Sequence, residues 1–128
     1  MKKILFLDID GVLNSARTAI AYDGYPTLKL SQKDWERFDD VAVCLVRRLC
    51  KECNVQIVLS SCWRLFKGWE KLGGFLNLPI IDCTPHKLSS TRGEEIAMWL
   101  RDNKEVLKYA ILDDDGDMLP KQLPFYLS

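Results

Sequence analysis

The sequence predicts an α/β domain with a doubly wound, mainly parallel sheet, on three observations. Apolar runs of strand length recur along the chain, helix-periodic segments lie between them, and acidic or hydroxyl residues stand at the ends of three of the runs. The runs are KILFLD (3–8), VQIVLS (55–60), LPIIDC (78–83) and YAILD (109–113), with PFYL (124–127) as a weaker fifth. Runs that are apolar throughout, rather than at alternate positions, suit strands buried on both faces.

Between the first two runs, Ala42, Leu45, Val46, Leu49 and Cys53 fall at i, i+3, i+4, i+7 and i+11. That spacing predicts one buried stripe of a helix capped by Asp39 or Asp40. Thr91 and Glu94 have capping-box spacing ahead of Ile96, Trp99 and Leu100, which starts a second helix near Arg92. Residues 14–30 contain Tyr22-Asp23-Gly24-Tyr25-Pro26, a turn signal that fits a short hairpin flap and leaves no room for a cap domain. No repeat, low-complexity tract or linker divides the 128 residues, so 1–128 reads as a single domain.

Lysine plus arginine balance aspartate plus glutamate at 18 each, which excludes a global basic field able to hold a nucleic acid duplex. Any such contact is local. The first apolar run ends in acid after Ile4, Leu5, Phe6 and Leu7, which fits neither a signal peptide nor a membrane span. Five cysteines, an odd count, indicate reduced thiols and a soluble cytoplasmic protein. Cys50 and Cys53 form a CxxC with no second close pair, so they read as ordinary thiols rather than a zinc site. Nothing in the chain calls for a membrane or an obligate protein partner.

Open parallel sheets bind ligands outside the carboxyl ends of their strands. There this chain carries Asp8 and Asp10, then Ser60 and Ser61, then Asp113, Asp114 and Asp115. Asp and Gly are ordinary turn residues, so DIDG alone is equally a plain turn. Electrostatics sharpens the reading: two carboxylates about 5 Å apart repel by roughly 3 kcal/mol at an effective dielectric near 20. A crevice holding four of them needs a cation, and hard carboxylate oxygens suit Mg²⁺. A calcium loop fails on spacing, because aligning Gly11 or Gly116 with its glycine puts Phe6 or Ile111 at its first aspartate. Arg92 opposes the helix macrodipole at a cost of roughly 0.3–1 kcal/mol unless an anion lies between them. A phosphate would remove that cost, whereas a plain exposed arginine would lean on Glu94 or Glu95. Metal, carboxylate, hydroxyl and cation around one crevice are the parts of phosphoryl transfer through an aspartyl-phosphate.

FLDIDGVLN (6–14), VLSS (58–61), TRGEEI (91–96) and AILDDD (110–115), in that order, resemble the four motifs of haloacid dehalogenase-like (HAD) hydrolases. With SSCWR and RGEEIAMWL added, nearly the whole chain is similar to the small HAD domains of RNA-repair proteins and phage polynucleotide kinase-phosphatases. The resemblance implies a Rossmannoid core, capless or with a small flap only, and Mg²⁺ as cofactor. It implies that Asp8 is the nucleophile, and that Asp10 protonates the leaving oxygen and then activates water. Ser60 would donate to a phosphoryl oxygen, and Arg92 would take the place of the motif-three cation. The implied metal set is Asp8, Asp10 through its backbone carbonyl, Asp113 and Asp114, with Asp114 the direct ligand and Asp113 its close support.

Gly11, Ser61 and Arg64 are the candidate substrate contacts. Ser61 is an alternative to Ser60, Lys87 to Arg92, and Asp115 or Asp117 could share the metal's outer shell. Trp63, Arg64 and Lys67 are candidates for stacking and backbone contacts, while His86 falls in a loop. The expected partner is a phosphorylated substrate, either a nucleic-acid 3′ end or a free nucleotide. A receiver-like phospho-acceptor module and an inactive HAD-fold binding module are the rival readings. The receiver needs its acceptor after the third strand, where Asp82 falls one residue early.

Overall fold

The computed structural model describes residues 2–27, 29–60, 69–85, 90–114 and 118–127, with Trp69, Leu107 and 123–127 described by backbone alone. Five parallel strands form one sheet: β1 (Lys2–Leu7), β2 (Gln56–Leu59), β3 (Ile80–Cys83), β4 (Val106–Leu112) and β5 (Tyr126–Leu127). Their order is β3-β2-β1-β4-β5. Each of the five predicted runs overlaps one of these strands, with β1 starting one residue and β4 three residues earlier than predicted, and the doubly wound parallel sheet is the fold expected. In this order the chain leaves β1 toward one edge and later returns to its other side. The switch point therefore lies between β1 and β4, where ligands of such sheets bind.

Alternate side chains of β1 serve the two faces. Leu5 and Leu7 join Ile57 and Leu59 of β2 in a core with Val43, Val46 and Cys50 of α3 (Asp40–Cys53) and Leu72 and Leu76 of α4 (Leu72–Leu76). Ile4 and Phe6 join Val58 and Ile111 beneath Ile96 and Trp99 of α5 (Arg92–Asp102). Phe6 meets Trp99 and Tyr109 edge-on, with ring centroids 5.5 and 5.8 Å apart, and the Trp99 indole donates to Asp82 at 2.8 Å. That bond satisfies a polar group which burial would otherwise leave costly.

Asp39 caps α3 as expected, accepting from the Val41 and Ala42 amides, and Asn54 ends the helix in the left-handed conformation that asparagine tolerates. The predicted stripe is a correction. Val43, Val46 and Cys50 are buried, whereas Leu45 is 62% exposed, Leu49 38%, and Cys53 is also exposed. Apolar residues surround more than half of this helix, so several stripes satisfy its period. The bond from the Asp39 amide to the Leu13 carbonyl, 2.7 Å, fixes where the chain enters and so which stripe meets the sheet. Thr91 caps α5 by accepting from the Glu94 amide at 3.1 Å, as its spacing predicted.

The proposed hairpin in 14–30 is also corrected. Its described residues hold a helix, α1 (Ala16–Ala21), followed by a loop, and the chain then enters α2 (Gln32–Arg37). Six-residue helices do not persist alone. Here Ser15 and Ser31 each close a capping box, and the buried Asp34 carboxylate gathers the loop. It accepts from the Thr27 amide (2.8 Å) and hydroxyl (2.9 Å) and from the Ser31 amide (3.1 Å) and hydroxyl (3.0 Å). Among the described residues, no helix is long and apolar enough to cross a membrane.

Candidate active site

The strand ladders run one residue past the ends of β1, β2 and β3. The Asp8 amide donates to the Leu112 carbonyl (3.0 Å), Ser60 to Leu7 (3.0 Å) and Thr84 to Leu59 (2.9 Å). With Leu7 opposite both Leu59 and Leu112, and Leu59 opposite Cys83, the register sets Thr84, Ser60, Asp8 and Asp113 side by side across four strands. All four are buried. Alternation carries Asp8 to the same face as Phe6, the face covered by α5, and Arg92 opens that helix.

Arg92 Nη1 lies 2.8 and 2.7 Å from the two carboxylate oxygens of Asp113 and 3.4 Å from Asp8 Oδ2. The arginine is therefore an inward-facing partner of the site, not the exposed residue of its plain reading. Carboxylate oxygens of Asp8, Asp113 and Asp114 lie within 4.8 Å of one another. Burial first, then the charge of Asp113 and the hydrogen bond from Asp114, push the Asp8 carboxyl from 3.8 up to about 8, with Arg92 offsetting part of the rise. Among the described residues, the Arg92 guanidinium thus reaches two of these three carboxylates. The all-oxygen donor set, buried on two sides and exposed at Asp114, suits a hard divalent cation that keeps part of its water.

Asp10 stands apart from that trio. Its Oδ1 accepts from Asn14 Nδ2 at 2.9 Å, and Asn14 Oδ1 accepts from the Gly11 amide at 3.2 Å. Asn14 is buried, so it holds both the carboxylate and the turn between the two aspartates. Gly11 adopts φ +87°, and a Cβ there would collide with the Asp114 carboxylate. Only glycine permits this approach of the first and fourth motifs. Asp10, Gly11 and Asp114 line a cavity of about 340 Å³ with Ser15, Ala16 and Tyr25.

The structure brings together Asp8, Arg92, Asp113 and Asp114, with Ser60 beside Asp8 in register and Asp10 and Gly11 at the adjoining cavity. Ser61, Trp63, Arg64, Lys67, His86, Lys87, Asp115 and Asp117 lie outside the described residues. Two supporting residues escaped the sequence reading. Asn14 stood within the first motif, where a side-chain amide four residues after an aspartate was the available signal. Gln122 had none: it is buried, donates to the Gly93 carbonyl at 2.8 Å and accepts from the Leu119 amide at 2.9 Å. It thereby ties the first turn of α5 to the chain that follows Asp114. A Cβ on Gly93 would come within 2.6 Å of both the Gln122 carbonyl oxygen and the Leu119 nitrogen, so this seat is also closed to larger residues.

No curated protein and no solved structure matches the chain. Residues 4–126 match the family described as "HAD domain in Swiss Army Knife RNA repair proteins". That span runs from the strand before Asp8 through the segment that holds Gln122, so it takes in every residue of the site above. The chain belongs to this family of HAD domains.

Proposed function

We propose that the chain is a Mg²⁺-dependent phosphomonoesterase that works through an aspartyl-phosphate on Asp8. One observation carries the reading: Asp8, Asp113 and Asp114 converge within 4.8 Å under a guanidinium that reaches both Asp8 and Asp113. Two buried carboxylates and an exposed third at this distance repel one another, and a bound cation removes that cost. Asp8, Asp113, Asp114 and the Asp10 carbonyl would hold Mg²⁺, which supplies the charge that lets Asp8 ionise and phosphoryl oxygens approach.

An Asp8 oxygen attacks phosphorus, and the bond from phosphorus to the ester oxygen breaks. Asp10 gives its proton to that oxygen, and Asn14 holds the Asp10 carboxyl in place for the transfer. In the second half Asp10 takes a proton from water, the water oxygen attacks the acyl-phosphate, and Asp8 leaves as carboxylate with inorganic phosphate released. Arg92 and the Ser60 hydroxyl hold phosphoryl oxygens during both transfers, at donors set before the substrate arrives.

A 3′-phosphate on RNA or DNA is the substrate class we favour. The family description names RNA repair proteins, and 14–30 is too small to enclose a metabolite. The receiver-like reading lacks support in β3, where Asp82 is engaged by the Trp99 indole and its own neighbour's amide. Turnover of a generic phosphomonoester with and without Mg²⁺ tests the reaction. Its absence under both conditions leaves the inactive binding module as the reading.

A further inference from the structure

We infer that Tyr25 is the platform for a nucleobase on the leaving-group side of the site, an inference that rests on the phosphomonoesterase reading. The leaving oxygen must depart beside the group that protonates it, and that group, Asp10, opens onto the 340 Å³ cavity shared with Asp114. Whatever carries the phosphate therefore occupies this cavity. Its volume lies within the range of ligand pockets, roughly 300–1,000 Å³, and is enough for one nucleoside.

The lining chooses among leaving groups. Gly11 and Ala16 add no functional groups, and the Ser15 hydroxyl is committed to capping α1 through the Thr18 amide. Among the described residues that line the cavity none is basic, so none of them offers a partner to a second phosphate. Of the described lining, the Tyr25 ring is half exposed, and a ring offers its face to any planar base.

Tyr25 is also held at both ends. On its N-terminal side Arg37 donates to the Asp23 carbonyl at 2.9 Å and to the Tyr22 carbonyl at 3.3 Å. On its C-terminal side Thr27 is fastened to Asp34 by amide and hydroxyl. A loop pinned in this way lowers the entropy lost when a base settles on it.

The test compares wild type with Tyr25→Ala, Tyr25→Phe and Tyr25→Trp. Substrates are a 3′-phosphorylated oligonucleotide, the matching nucleoside 3′-monophosphate and glycerol phosphate. Tyr25→Ala is expected to lower kcat/KM about tenfold on both nucleotide substrates, chiefly through KM, with a much smaller loss on glycerol phosphate. Tyr25→Phe and Tyr25→Trp should keep most of the efficiency. Equal losses on all three substrates, or none on any, overturn the inference. The two nucleotide arms separate a base at a nucleic-acid end from a free nucleotide. Calorimetric binding of the nucleoside monophosphate to Asp8→Asn, with and without Tyr25→Ala, reads the platform independently of turnover. A tenfold weaker Kd without any wild-type turnover keeps the platform and removes the phosphatase. Normal turnover with an unchanged Kd does the reverse.

Discussion

A single nitrogen of Arg92 spans the first and fourth motifs: Nη1 lies 2.7 Å from Asp113 Oδ2 and 3.4 Å from Asp8 Oδ2. A residue at a helix start thereby reaches two strand ends at once. Charge-assisted bonds of this kind are about twice as strong as neutral ones, and both acceptors are buried. Arg92→Ala should lower kcat/KM by about 100-fold, with kcat lowered and KM raised, and Arg92→Lys should recover part of it. Steady-state kinetics of the two variants decide this, and an unaffected Arg92→Ala would move the role to Lys87 or Arg64.

Asp8→Asn should abolish turnover because an amide cannot form the acyl-phosphate. The same change removes one of three crowded carboxylates, so the melting temperature should hold or rise. Assay and thermal melt on one preparation separate the two effects. Near-normal turnover would contradict the covalent step.

Mg²⁺ should activate, and excess chelator should remove the activity. Ca²⁺ should inhibit, since its looser and higher coordination lets the attacking carboxylate become a bidentate ligand. Titrating Ca²⁺ against fixed Mg²⁺ reads the competition. Full activity in chelator would dismiss the metal.

Gln122→Leu keeps the volume of a buried side chain and deletes its amide. It should destabilise the protein by about 2 kcal/mol, because the Gly93 carbonyl and Leu119 amide lose their partner inside the fold. Activity at a temperature where the variant is fully folded should also fall, with kcat reduced, because the start of α5 is where Arg92 is carried. Denaturant melts and kinetics together test this. Lost stability with wild-type kcat would reduce Gln122 to a purely structural bond.

The Asp34 carboxyl gives a pH dependence. Burial alone would raise its pKa, but hydrogen bonds from the amides and hydroxyls of Ser31 and Thr27 outweigh it and hold the group below 3.8. A depressed carboxyl stabilises the fold at every pH above its unfolded value and loses that contribution as pH falls through the folded one. Wild type should therefore exceed Asp34→Asn by about 2 kcal/mol near pH 7, and the gap should start to narrow below about pH 4 and shrink further as the pH falls. Urea melts across pH 3–7 check it; a gap that persists into acid would assign the loss to packing.

What the sequence determined by itself was the sheet, the strand-end aspartates and the start of α5. These depend on short-range signals: an apolar run is buried wherever it pairs, an aspartate after it falls at the sheet's carboxyl edge, and Thr91 finds the Glu94 amide three residues away. Tertiary structure alone decided which stripe of α3 is buried, since Val43, Val46 and Cys50 compete with Leu45 and Leu49 on equal helical terms. It alone made α1 and α2 persist, through the hold of Asp34 on Thr27 and Ser31. It also brought Arg92 onto Asp113, Gln122 onto Gly93 and Tyr25 to the cavity that Asp10 lines. The members of those pairs stand 15 to 29 residues apart in sequence, and a chain's local preferences contain no term for a contact that closes only when the chain has folded back on itself.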